Sequence, residues 1–348
     1  MSIGTERVLS ERELNRTLLA RQLLLERRKV ALPRALERVG GIQAQYAPSM
    51  YIGLWSRLAG FRREQLTRAL ERRTVVQGTL MRATIHLVSR EDYWPIAEGI
   101  REPRRESWLR YQRGRVDKRD VGKAAALLRP RMERGISARK DLIADLDAAR
   151  FNGAQLWLDI VRLPPAGTWE RRRADVYGLA EEWIEPAARP TPEEGQELLV
   201  RRYLQGFGPG APKEIADWAG LPVRTVNERL EALELRRFRD ERGGLLVDLP
   251  RLPIPAADTP APPRFLPTWD ATLLAHCRRT QILPEELRPR VFNIKTPHST
   301  ETFTVDGQVA GTWKWEKGEV RLSPFGRLGA EARGALEEEA AGLAELHR

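Results

Sequence analysis

The stretch GGIQAQYAPSMYIGLW, from Gly40 to Trp55, carries two glutamines one residue apart, Gln43 and Gln45, between a glycine pair and a proline. An amide side chain offers a carbonyl oxygen that accepts hydrogen bonds and an NH2 group that donates them. It can hold a water and turn its dipole toward a positive charge, but it does not titrate near neutrality and is no strong general base. Two amides where acid/base chemistry would call for carboxylate or histidine suit a substrate whose leaving group is already activated. Their backbone decides whether they act together. Residues two apart point about 200° away from each other on a helix but share one side of an extended segment. Gly40-Gly41 reads as a helix end, and Pro48 suits the first position of the next helix. IQAQYA is therefore expected to be extended, with both glutamines on one side and the partial positive charge of a helix N-terminus close by. The same residues also read as a solvated connection between helices.

Other reactive groups are sparse. The four histidines, His86, His276, His298 and His347, show no zinc-ligand spacing, so no metal is expected. GFGPGA, Gly206 to Ala211, resembles a dinucleotide fingerprint, but it follows a helical pattern instead of a strand and is trailed by Pro212, so it reads as a loop. There is no Walker A sequence, and neither a nucleotide nor any other cofactor is expected. Lys+Arg outnumber Asp+Glu by 59 to 48 in 348 residues, a formal net charge of +11. That balance favours a polyanionic partner, usually nucleic acid, although an arginine-rich composition alone would also produce it. Cys277 is the only cysteine, so no intramolecular disulfide can form, which suits a reducing compartment. The N-terminus is charged from Glu6 onward and lacks the apolar core of a signal peptide. No apolar run approaches the ~20 residues of a membrane span. A cytoplasmic chain without a membrane partner is expected, acting as a monomer.

The elements that must position the glutamines follow from periodicity. Leu9 to Leu25, Pro33 to Val39, a segment from Pro48 through Leu58, and Phe61 to Glu71 read as helices. TLMRATIHLVS then alternates, with Met81, Ala83, Ile85 and Leu87 on one face and Arg82, Thr84 and His86 on the other, the pattern of a half-buried strand. The charged stretch Arg101 to Asp120 reads as a helix end plus linker. A second set of helices and a wing-like PPAGTWERRR follow, up to a linker at Pro186 to Pro192. The third set is the clearest: three helices, the last being PVRTVNERLEALEL, then a hairpin with Gly243-Gly244 at its turn. Beyond the proline-rich connector Pro250 to Pro263, VFNIKTP, ETFTV, QVAGTWKW and EVRLS read as strands, with reversals at Asp306-Gly307 and Lys317-Gly318. A helix from Glu331 to Leu346 ends the chain. The expected class is α+β, predominantly helical, with tandem winged-helix motifs and a C-terminal region rich in β-hairpins. The expected units are 1–110, carrying the glutamines, then 111–192, 193–263 and 264–348. Arg224, Thr225, Asn227 and Arg229 would form a DNA-reading face of the third unit; the same helix, interrupted by Glu228, Glu231 and Glu234, also reads as scaffold.

GIQAQ, MRATIHLV, LPPAGTWERRRADVYGLAEEWI, FLPTWDATLLAH and VDGQVAGTW occur in the order of the winged-helix family that includes the AlkZ and YcaQ DNA glycosylases, and the similarity spans nearly the whole chain. Gln43-Ala44-Gln45 resembles the Gln-apolar-Gln catalytic motif of the AlkZ type; YcaQ-like members carry Gln-apolar-Asp. FLPTWDATLLAH departs from the commoner LPEFDEYLLGY by losing two carboxylates while keeping Asp270. The resemblance implies hydrolysis of the N-glycosidic bond of bulky N-alkylated purines in double-stranded DNA, extending to interstrand crosslinks, in repair or in self-resistance to a genotoxin. An N7-alkylguanine already carries positive charge and leaves without protonation. Its departure creates an oxocarbenium-like sugar that needs electron-rich groups and a water held in line. Gln43 and Gln45 would hold that water, and with no lysine nucleophile evident no lyase step is expected. Arg82 and His86 are candidates for DNA or phosphate contact, as are Arg224 and Asn227. A hairpin around Asn293 to Thr304, with Lys295, His298, Ser299 and Thr300 near its tip, would engage the duplex beside the lesion. Members of the wider family are often labelled only as winged-helix DNA-binding proteins, so a non-catalytic regulator is the alternative.

Overall fold

The computed structural model describes residues 6–135, 137–185, 188–276, 279–292 and 299–348. Strand β1 (Val8–Leu9) leads into helix α1 (Glu11–Arg21), which starts where the sequence provides a capping box: the Ser10 hydroxyl accepts from the Glu13 N–H, and Glu13 accepts in turn from the Ser10 N–H. Helix α2 (Leu32–Val39) stops at Gly40, whose φ of 78° is left-handed. Strand β2 (Ile42–Gln43) follows at once, then α3 (Ala47–Trp55), with Pro48 in its first turn where a missing N–H costs nothing. Helix α4 (Arg63–Glu71), strands β3 (Val75–Thr79) and β4 (Ile85–Ser89), and the long α5 (Arg90–Gln112) come next. The middle of the chain forms α6 (Lys118–Glu133), α7 (Arg139–Leu142), α8 (Ala148–Trp157), β5 (Ile160–Arg162), β6 (Tyr177–Leu179) and α9 (Ala180–Trp183). Helices α10 (Pro192–Gly206), α11 (Pro212–Ala219) and α12 (Val223–Glu231) precede the hairpin of β7 (Arg236–Asp240) and β8 (Leu245–Asp248), in the anticipated order. Pro250 to Pro263 carries no helix or strand. The remainder is β9 (Arg264–Leu266), α13 (Ala271–Leu274), α14 (Arg288–Val291), β10 (Thr302–Val305), β11 (Gln308–Glu316), β12 (Glu319–Pro324) and α15 (Ala330–His347). The class is α+β with helices predominating.

Three sheets organise these elements: β2-β4-β3-β5-β6, β12-β11-β10-β9, and β1-β7-β8. The first takes strands from both of the first two expected units, joined where Gln77 of β3 pairs with Arg162 of β5. The second turns at Asp306-Gly307 (φ 47° and 78°) and Lys317-Gly318 (φ 52° and 82°), two-residue reversals that need positive φ at both positions. In the third, β1 runs parallel to β7 and ties the N-terminus to the third helical set. Two cores flank the sheet that carries Gln43. One gathers Val76, Val88, Ile96, Leu199 and Val226; the other gathers Met50, Leu54 and Leu87 with Phe265, Phe303 and Trp313 of the C-terminal sheet. Helices α5 and α10 cross through glycines: a Cβ on Gly99 would lie 2.6 Å from the carbonyl carbon of Gly195, so neither position tolerates a side chain.

Three expectations are corrected. TLMRATIHLVS is not one strand. β3 ends at Thr79, Met81 to Ala83 forms a 3-10 turn, and β4 begins at Ile85. Arg82 and Ala83 adopt φ of 53° and 57° and reverse the chain, while Leu80 and Met81 plunge into the core, so the alternation came from a turn. The stretch Arg101 to Asp120 is a helix end plus linker only in part, because α5 continues to Gln112 and α6 already starts at Lys118. Arg101 pairs with Glu98 on its own helix (2.6 Å) and Arg104 with the distant Asp159 (3.1 Å). Finally, VFNIKTP begins as the end of α14. Phe292 then forms an antiparallel bridge with Ser299, and residues 293–298 lie outside the described residues.

Candidate active site

Gln43 sits on β2, the edge strand of its sheet, with the Ala44 N–H donating to the Ile85 carbonyl (2.7 Å) to fix the register. The chain bends at Gln45, and the two side chains meet: Gln43 Nε2 donates to Gln45 Oε1. This is the same-side arrangement that an extended segment implies. Gln43 is 7 % exposed, whereas Gln45 and Tyr46 lie at the surface. Among the described residues nothing donates to Gln43 Oε1, so its lone pairs remain available. The arrangement can place one fixed acceptor and one exposed amide on a water or on an electron-poor atom at the protein surface. It cannot take up a proton.

His86 is the register partner of Gln43 on β4, and across β4 its other neighbour is Gly78 of β3, where the Tyr93 ring fills the space of a side chain. His86 is buried, and its Nδ1 lies 3.1 Å from the Thr84 carbonyl. Burial first, and the Arg82 cation second, push its pKa down to about 3. Its imidazole is enclosed behind Gln43, so His86 does not reach a DNA-contacting surface. Arg82 lies on the turn before β4 and not on its polar face; its guanidinium donates to the Trp218 carbonyl at the end of α11, an arginine serving a helix C-terminus. Arg224 and Asn227 are exposed on α12, with Arg224 paired to Glu228 at 2.9 Å. Ser299 is buried; its hydroxyl accepts from the Trp269 N–H (2.7 Å) and its carbonyl from the Thr268 hydroxyl (2.5 Å), so it anchors the loop before Asp270 instead of meeting DNA. Thr300 is half-buried, its N–H donating to the Val291 carbonyl (2.9 Å). The expectations for Lys295 and His298 fall outside the described residues.

Asp270, the retained carboxylate of its motif, is buried and grips Arg57 of α3 through two hydrogen bonds of 2.8 and 2.9 Å. Burial would raise its pKa, but Arg57 and Thr272 outweigh that and hold it below the usual carboxylate value. It also caps α13 by accepting from the Thr272 N–H (3.0 Å). Asp270 is thus fully engaged as a clamp between α3 and the C-terminal region. A third feature, the wing-like PPAGTWERRR, was read from the sequence without a site residue assigned to it. The loop between β5 and β6 is anchored by buried Trp169, whose ring meets Tyr51 of α3 edge-on at 5.6 Å, and by Gln77, which donates to the Gly167 carbonyl (2.9 Å). The loop presents Arg172 to Tyr46, Nη1 to Oη at 3.3 Å. No sequence periodicity links positions so far apart; only the adjacency of Tyr46 to Gln45 was readable. Among the described residues no three His, Cys, Asp or Glu side chains gather in a way that could hold a metal ion, and no helix is long and apolar enough to cross a membrane.

The chain is thus a helical α+β protein with a strongly basic charge balance and an amide pair at the edge of its first sheet. The family of AlkZ-like DNA glycosylases matches residues 36–346, and the chain belongs to it. Among solved structures, the Streptomyces sahachiroi DNA glycosylase AlkZ superposes with a TM-score of 0.83 at 20% sequence identity, covering 97% of this chain and 97% of that one, which establishes the shared fold. No curated protein matches.

Proposed function

We propose that the protein is a monofunctional DNA glycosylase that hydrolyses the N-glycosidic bond of bulky N-alkylated purines of the N7-alkylguanine type, with Gln43 and Gln45 as its catalytic residues. The observation that carries this reading is the coupled amide pair: Gln43 Nε2 is tied to Gln45 Oε1, and among the described residues no donor meets Gln43 Oε1. That oxygen accepts a hydrogen bond from the attacking water, and its dipole faces the cationic sugar left as the base departs. The alkylated base already bears the charge that makes it a leaving group, so no general acid is required, and the pair is correspondingly poor at removing undamaged bases. An exposed site at a sheet edge also suits a base that stays tethered to the opposite strand, because such a base cannot be flipped into a closed pocket. This supports extending the reaction to crosslink unhooking, in repair or in self-resistance. Arg224 and Asn227 on α12, within a winged-helix arrangement, and Thr300 would contact the duplex.

The test is incubation with duplex DNA containing a single N7-alkylguanine, followed by alkali cleavage. Strand scission at the lesion only after alkali supports the proposal. Tight binding to one palindromic site on undamaged DNA, with no abasic product, would favour a regulator.

A further inference from the structure

The triplet Arg171-Arg172-Arg173 in the loop between β5 and β6 is not electrostatically uniform. Arg171 and Arg173 both lean on Asp175, at 2.9 and 3.5 Å. Among the described residues, Arg172 has no carboxylate within 4.0 Å. It lies instead with its guanidinium carbon 5.7 Å from the centre of the Trp169 ring and its Nη1 3.3 Å from the Tyr46 hydroxyl. Arg63 approaches the same ring at 5.1 Å. Two cations thus approach one indole, and among the described residues neither forms an ion pair. Their field reaches His347, whose ring meets Trp169 edge-on at 5.0 Å: burial first, then Arg172 and Arg63, lower its pKa to about 4. A folded protein keeps like charges in such proximity at an energetic cost unless a ligand supplies the counter-charge.

The position of the unpaired cation indicates what that ligand is. Tyr46 follows Gln45 directly, about 3.8 Å along the chain. The loop is anchored there by buried Trp169 and by the Gln77–Gly167 hydrogen bond, and exposed Arg172 is directed by its contact with the Tyr46 hydroxyl. We propose that Arg172, oriented by Tyr46 and Trp169, binds one phosphodiester of the strand that carries the target base, one or two nucleotides from the base that the glutamines act upon. The proposal rests on the glycosylase reading and adds to it the group that sets the register of the damaged strand against Gln43 and Gln45. A planar guanidinium suits this task because it gives two parallel charge-assisted hydrogen bonds to a phosphate. Arg172 is a positioning residue: it touches the backbone of the substrate and not the reacting atoms.

The test scans single uncharged methylphosphonate linkages along duplexes that contain one 7-methylguanine, measuring both single-turnover base release and equilibrium binding. The wild type should lose about tenfold in rate and affinity at one or two linkages near the lesion, about 1.4 kcal/mol. Arg172→Ala should show that loss on all-phosphate DNA and no additional loss at those linkages, while Arg172→Lys retains part of the effect. Tyr46→Phe should blunt the sensitivity at the same linkage. Losses that are additive at every linkage, or wild-type behaviour of Arg172→Ala, would overturn the proposal. Should the wild type release no base at all, the glycosylase reading fails, and the binding arm still decides for or against the phosphate contact.

Discussion

Two polar pairs, Arg57 with Asp270 and Gln43 with Gln45, are built to opposite ends. Arg57 and Asp270 are both buried; the carboxylate receives two guanidinium hydrogen bonds and one from the Thr272 N–H, and the arginine also donates to the Gly53 carbonyl at 2.9 Å. Gln43 and Gln45 share a single bond, one partner enclosed and the other at the surface. The first pair is closed upon itself, and its energy goes into joining α3 to the C-terminal region. The second is left incomplete on its outward side, and an incomplete pair of neutral groups is tolerable at a surface where an incomplete ion pair inside the core would not be. The buried ion pair is enclosed with its partners, and the proposed site is made from neutral groups that stay useful when partly unmatched.

The largest expected effect breaks the closed pair. Asp270→Ala strands Arg57 in the core and should cost about 3–5 kcal/mol of stability, read as a lowered midpoint in denaturant unfolding. The pH dependence has a definite sign. The folded-state pKa of Asp270 is depressed below its ordinary 3.8, so its contribution is present above that value and is lost as the pH falls through the folded value. The acid limb of wild-type stability should therefore flatten in Asp270→Asn.

His86 sharpens the comparison from the side of the open pair. Its folded pKa of about 3 lies below the ordinary 6.5. Between these values the unfolded chain binds the extra proton, so stability falls as the pH drops through that window and is unaffected above it. His347, lowered to about 4, adds a second contribution of the same sign. His86→Gln should reduce the slope of stability against pH by up to about 1.4 kcal/mol per pH unit in that window. Base release should meanwhile stay level from about pH 5 to pH 8, because neither amide titrates and His86 is already neutral. A bell-shaped rate profile in that range would point to a catalytic acid or base that the site does not contain.

The smallest effect concerns α12. Arg224→Ala should weaken duplex binding by a few-fold and lower the salt slope by about 0.9, the value for one phosphate contact. Asn227→Ala should change affinity less and leave the slope unchanged.

What the sequence disclosed depended on whether the determining interactions were local. The glycine stop at Gly40, Pro48 opening α3 and the paired reversals at Asp306-Gly307 and Lys317-Gly318 are short-range chemistry, and all were legible. The meeting of Gln43 and Gln45 was expected from an extended segment, and the structure reaches it with a bend at Gln45. The turn at Arg82-Ala83 was not, because nothing in those residue types demands positive φ; the burial of Leu80 and Met81 imposes it. Nor was the continuation of α5 through its charged half, which depends on Asp159 arriving from beyond α8 to meet Arg101 and Arg104. The enclosure of His86 and Ser299, and the approach of Arg172 to Tyr46, are likewise products of tertiary packing.

The central claim is that the amide pair performs the hydrolysis while taking little part in holding the fold together. Single-turnover release of 7-methylguanine from duplex DNA should be measured for the wild type and for the Gln43→Ala/Gln45→Ala double variant, alongside equilibrium DNA affinity and thermal unfolding of both proteins. The account expects the double variant to lose about 100-fold or more in rate, with affinity and unfolding temperature close to wild type. A double variant that releases the base within twofold of the wild-type rate would contradict it.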